Sequence, residues 1–183
     1  WWLISAFGRY SIGIIHGLYM SGMYAVASRI PAILTMFTKI FDHAWQLSAI
    51  EEFQKKDSSE YYSKIMSSYV ILLIIVSEFV IVVLNYIFNA FFSPEYFAAT
   101  KIVPILLLSV IFSTISSFIG ANYIAAKKTT GVMTSSIIAG LVCIAANYFL
   151  VPVLGAIGAG LSSCLSFFVM ALYRYNDAQR FVR

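Results

Sequence analysis

Charge is scarce in this sequence. Only 11% of its 183 residues are Asp, Glu, Lys or Arg, where a soluble domain averages about 25%. Hydrophobic residues make up 61%, too many to hide in one water-soluble core. That excludes an ordinary soluble domain and points to an all-α, polytopic transmembrane helical bundle. Cysteine is nearly absent. Cys143 and Cys164 lie in apolar runs, and no CxxC or metal-ligand spacing exists. Nothing argues for zinc, haem or a disulfide framework, and both thiols read as small apolar packing residues. No cofactor or metal is expected. Enzyme constellations are missing too: there is no paired-acid motif, no Ser/His/Asp arrangement, no HExxH and no phosphate loop. An enzyme is not expected. The net charge of +4 invites a nucleic-acid reading, but the basic residues sit at the edges of apolar runs. A cytoplasmic-face bias explains that better, so no nucleic-acid partner is expected.

The first residue is Trp1, and no basic segment with a short apolar stretch and cleavage site follows. No signal peptide is visible, and the chain is expected to continue a longer protein.

What is present is a series of apolar segments in one membrane domain, 1–183. Residues 1–7 read as the end of a span. Gly8, Arg9, Gly13, His16 and Gly17 make 8–18 a connection or a short interfacial helix; a span over 10–28 is the competing reading. The next helix covers 19–47, with Pro31 inside it as an expected kink. Residues 48–66 form a charged, water-exposed connection, helical at both ends, with Ser58 or Ser59 as the N-cap of the next helix. Further helices are expected over 65–92, 102–126, 129–151 and 153–173, the last two divided by Pro152 and Gly155. The tail 174–183 closes the chain.

Lysine and arginine alternate in their placement. The 48–66 connection holds three, the 127–128 turn two and the tail three, against Arg9 and Lys101 on the other side. The positive-inside rule puts 48–66, 127–128 and the C-terminus in the cytoplasm.

The stretch 19–52 carries the residues of most interest. Arg29, Lys39, His43 and Gln46 share a helical stripe about 100° wide, opposite Ile33, Leu34, Phe37 and Phe41. Charges within a spanning helix cost about 2.5–3.5 kcal/mol each at its centre on insertion scales, and usually face a partner or a wet cavity. The stripe reads as a cationic cavity wall for an anionic headgroup. The bland alternative is that Lys39 and Asp42 neutralise each other, that His43 and Gln46 are structural, and that Arg29 is paired with an acid. Glu78, alone in its apolar helix, is either an ion-coupling carboxylate or an acid near the headgroups, or a partner for Arg29. The glycines of 155–160 read as close helix packing.

Several motifs in order carry a resemblance. They are Arg9-Tyr10; Gly22-Met23-Tyr24-Ala25-Val26-Ala27; Phe41-Asp42-His43-Ala44-Trp45-Gln46 with Ser48-Ala49-Ile50-Glu51; Pro94-Glu95-Tyr96; Pro104-Ile105-Leu106; Lys127-Lys128-Thr129; and Asn147 through Pro152, Gly155 and Gly158-Ala159. In their sequence and spacing they resemble the C-terminal half of polysaccharide flippases. These are the O-antigen (Wzx-type) transporters of the multidrug/oligosaccharidyl-lipid/polysaccharide exporter superfamily. Gly8 stands where that family often has Asp. The resemblance implies the second lobe of a MATE-like transporter fold in the bacterial inner membrane, with an N-terminal lobe as partner. It also implies a lipid-linked oligosaccharide as substrate, flipped by alternating access across the lipid bilayer. A drug or metabolite exporter of the same superfamily, or a membrane-bound polysaccharide polymerase, is the alternative.

Overall fold

The computed structural model describes residues 2–52 and 58–179. Among the described residues there is no strand. The elements are α1 (Trp2–Ala27), α2 (Arg29–Glu52), α3 (Ser58–Phe91), a 3-10 helix (Pro94–Lys101), α4 (Val103–Ala125) and α5 (Thr130–Ala178). Among the described residues three helices are long and apolar enough to cross a membrane: Glu60–Phe91, Val103–Ala125 and the 49-residue Thr130–Ala178. They fit a helical membrane bundle. The stretch 19–47 is not among the three.

α5 is too long to be one span. At 1.5 Å per residue it would extend about 74 Å, more than twice a ~30 Å hydrocarbon core. It folds back at Gly155, whose φ of 56° and ψ of −129° are not helical. Contacts across the turn show the two limbs side by side: Arg174 Nε donates to Ser135 Oγ at 2.9 Å although 39 residues separate them. Gly158 permits the tight return, because a Cβ there would meet the Leu150 carbonyl.

α1 differs from expectation. Residues 8–16 are helical, as the interfacial-helix reading and the competing 10–28 reading have it, and do not form a loop. Gly8 serves packing: its missing Cβ would stand 3.3 Å from Ala159 Cβ on α5. Only Gly17 breaks the helix, with φ 82° and ψ 179°. The two breaks face each other, for His16 Nε2 donates to the Val151 carbonyl at 2.8 Å. The kink expected at Pro31 appears at Ser28, the turn between α1 and α2. Proline has no N–H for the carbonyl four residues before it, so the ladder loosens there. Backbone bonds from Ser28 N–H to the Tyr24 carbonyl (3.0 Å) and from Ala32 N–H to the Ser28 carbonyl (3.1 Å) still carry the helix across.

α4 is the central helix. Half of its apolar window is buried, against 17% for α3, and α5 and α2 pack on it. Trp45 of α2 stacks on Phe118 of α4 at 4.2 Å between ring centroids, and Tyr62 of α3 donates its hydroxyl to the Ala49 carbonyl at 2.6 Å.

The expected tail is also corrected. α5 runs to Ala178, so Arg174 belongs to the bundle and is 2% exposed. Its Nη1 donates to the Ser116 carbonyl at 2.8 Å and its Nη2 to Ser136 Oγ at 3.3 Å. Small hydroxyl residues on the facing helices leave room for the guanidinium, which ties α4 to both limbs of α5. The helical ends expected for 48–66 are seen in α2 and α3. The side chains of the N-cap candidates Ser58 and Ser59 lie outside the described residues.

Candidate functional site

A groove of about 860 Å³ opens between α1, α2, α4 and the second limb of α5. α2 supplies one wall through Ala32, Thr35, Met36, Lys39, Ile40 and His43. Their spacing of three and four residues puts them on one helical face. α4 contributes Ser109 and Ser113, four apart, together with Leu106 and Val110. Ser163 and Phe167, again four apart, come from α5.

The third basic group arrives from α1. Arg9 lines the groove, and its Nη2 donates to Ser28 Oγ at 3.3 Å. Ser28 is held in turn, its hydroxyl donating to the Ala25 carbonyl at 2.8 Å. Tyr24, also on α1, reaches Ser163 across the floor. Arg9, Lys39 and His43 are therefore set on two helices around one space, with hydroxyls between them. Among the described residues no acid lines it.

Asp42 lies next to His43 and feels its charge, but it is not among the residues described as lining the groove. It faces Ser117 on α4, and its Oδ1 is buried without a hydrogen-bond partner. Lys39 faces the groove instead. One step along the helix turns a side chain by about 100°, so neighbours of His43 and Lys39 need not share their face.

The expected site residues divide. The structure brings Lys39 and His43 together with Arg9. Arg29 is exposed at the first position of α2 and is not among the lining residues. Gln46 is half-buried, one residue after the Trp45–Phe118 stack, and lies beyond the groove. Glu78 is exposed on α3, away from it. Among the described residues neither Arg29 nor Glu78 has an ion-pair partner.

Arg9 is not among the site residues expected from the helical stripe, because nearby glycines suggest a loop. A signal was present: Ile4, Gly8 and Ile12 recur at intervals of four and are buried, which makes a helix with Arg9 beside its packed face. Ser109 and Ser113 also repeat at four, inside an uncharged helix. Among the described residues no group of three or more His, Cys, Asp or Glu could hold a metal ion.

Such an arrangement has the chemistry to receive an anion. Arg gives a planar fork suited to phosphate oxygens, Lys a mobile point charge, and hydroxyls bridge what remains. No protein-family model, curated protein or solved structure matches this chain.

Proposed function

We propose that the groove holds the anionic head of a lipid-linked oligosaccharide, and that the protein flips this substrate across the bacterial inner membrane. The observation that carries the reading is the convergence of Arg9, Lys39 and His43 on one space, with no acid among the described residues that line it. The substrate class comes from the motif resemblance to polysaccharide flippases, whose substrates carry a diphosphate. Two linked phosphates suit a site with a fork on one wall and a point charge on the other.

Charge in a membrane interior is unfavourable, by about 2.5–3.5 kcal/mol for Arg or Lys on insertion scales. A bound diphosphate offsets it. The hydroxyls of Thr35, Ser109 and Ser113 suit the sugar that follows. In this reading the chain is the second lobe of a MATE-like transporter, an N-terminal lobe covers the open side of the groove, and the C-terminus is cytoplasmic. Alternating access then rocks one lobe against the other. A cationic drug would prefer carboxylates here, and among the described residues none line the groove.

The test is complementation of surface-glycan export by single variants. Charge-assisted hydrogen bonds are worth roughly 1.5–3 kcal/mol each, so Arg9→Ala should lower the initial export rate about tenfold or more. Lys39→Ala should do less, and Arg29→Ala least. Export by Arg9→Ala at the wild-type rate, with equal protein in the membrane, would refute the reading.

A further inference from the structure

α2 has a second face, turned away from the cationic groove. There α2 and α3 diverge around a chamber of about 900 Å³. α3 lines it with Tyr61, Lys64, Ser68, Leu72 and Val76, one face spanning four turns, or about 22 Å. α2 answers with Leu34, Phe37 and Phe41. The polar positions collect at the end nearest the charged 48–66 segment, and the other end is aliphatic. Phe37 is 65% exposed and Leu72 56% exposed, so the chamber opens sideways toward the surroundings of the most peripheral spanning helix. Among the described residues no acid lines the chamber. Glu60, four residues before Lys64, is exposed and not part of the wall.

The contents must suit this gradient. A chamber of this size lies within the roughly 300–1,000 Å³ usual for small-molecule sites, and its length exceeds one leaflet of a ~30 Å hydrocarbon core. A helix cannot pass between α2 and α3 at the level of Phe41 and Tyr69. The Phe41 and Tyr69 rings stack across the gap with centroids 3.8 Å apart, and Tyr69 reaches the Thr38 carbonyl at 3.5 Å. A third helix needs about 8–10 Å between axes, whereas one hydrocarbon chain passes beside the rings. Basic pockets between spanning helices are suited to anionic lipid headgroups.

We propose that the α2–α3 chamber is a phospholipid site: one acyl chain lies along Leu34, Phe37, Leu72 and Val76, and the phosphate of an anionic headgroup sits on Lys64 and the Tyr61 hydroxyl. The site is separate from the cationic groove and does not depend on the transport reading. A seated lipid keeps α3 apart from α2 while the Phe41–Tyr69 stack holds the two in register.

Native mass spectrometry of the protein released from vesicles tests this, using phosphatidylglycerol or phosphatidylcholine with identical chains. Wild type should retain one phosphatidylglycerol in about fivefold preference, the equivalent of ~1 kcal/mol for one basic residue at a membrane surface. Lys64→Ala should remove the preference and leave chain retention. Leu72→Trp fills an exposed part of the wall and should lose both lipids, while Ile75→Trp, exposed on α3 but outside the chamber, should keep both. Equal retention of the two lipids by wild type, an undiminished preference in Lys64→Ala, or full retention in Leu72→Trp would each overturn the proposal. A protein cross-linked through position 37 in place of lipid would do the same.

Discussion

Gly155→Ala separates backbone strain from steric clash at the turn of α5. At φ 56° and ψ −129° the backbone lies where side-chain-bearing residues are rarely found, and holding one there costs on the order of 1–3 kcal/mol. Space is not the obstacle. A Cβ would meet Met20 Cε at 3.6 Å and His16 Nε2 at 3.8 Å, both ordinary van der Waals contacts. The expected loss is therefore strain alone, and 1–2 kcal/mol changes the folded-to-unfolded ratio roughly 5- to 30-fold. Gly158→Ala should cost more, because its Cβ would press on the Leu150 backbone, which cannot move without opening the hairpin. Gly140→Ala is the control. Nothing lies within 4 Å of its Cβ position, so that variant should be neutral to slightly stabilising. Unfolding by SDS in mixed micelles, followed by far-ultraviolet circular dichroism, ranks the three. Gly155→Ala unfolding with Gly140→Ala would refute a positive-φ turn at this position.

Other expectations follow from single contacts. His16→Ala leaves the Val151 carbonyl without its side-chain donor at the α5 turn; the same micelle assay should show a loss of about 1–3 kcal/mol, partly restored by His16→Gln. Gly120→Ala would place a Cβ 2.8 Å from Arg174 Nη1, displacing the guanidinium from the Ser116 carbonyl and destabilising the α4–α5 contact by about 1–3 kcal/mol. Cys143 and Cys164 are free and buried, so a polar maleimide should label neither until the bundle is unfolded, and rapid labelling of folded protein would contradict the packing.

Much of the helical layout was readable from hydropathy. The apolar runs from 65 onward and the break near Gly155 correspond to α3, α4 and the two limbs of α5, whereas 19–47 is divided at Ser28 between α1 and α2. A membrane-length run has to be helical, since lipid cannot satisfy exposed backbone groups. Glycine was the ambiguous signal. Gly8, Gly13 and Gly17 looked alike in the chain, yet Gly8 supports close packing on Ala159 and only Gly17 takes a positive φ. Sequence cannot tell these uses apart, because the distinction lies in what stands opposite each residue.

The same holds for charge. The scarcity of charged residues and the helical face shared by Lys39 and His43 were set by composition and periodicity, which act within one segment. Which charges meet across segments is a tertiary matter. Arg9 joins the α2 cations because α1 is helical through residue 16 and brings its side chain to Ser28. Arg29, on the same segment as Lys39, stays outside because it occupies the first position of α2 beside a turn. Arg174 enters the bundle because α5 folds back and sets it against Ser116, Ser135 and Ser136. Hydropathy selects the segments that leave water; packing between them decides which polar side chains share an interior.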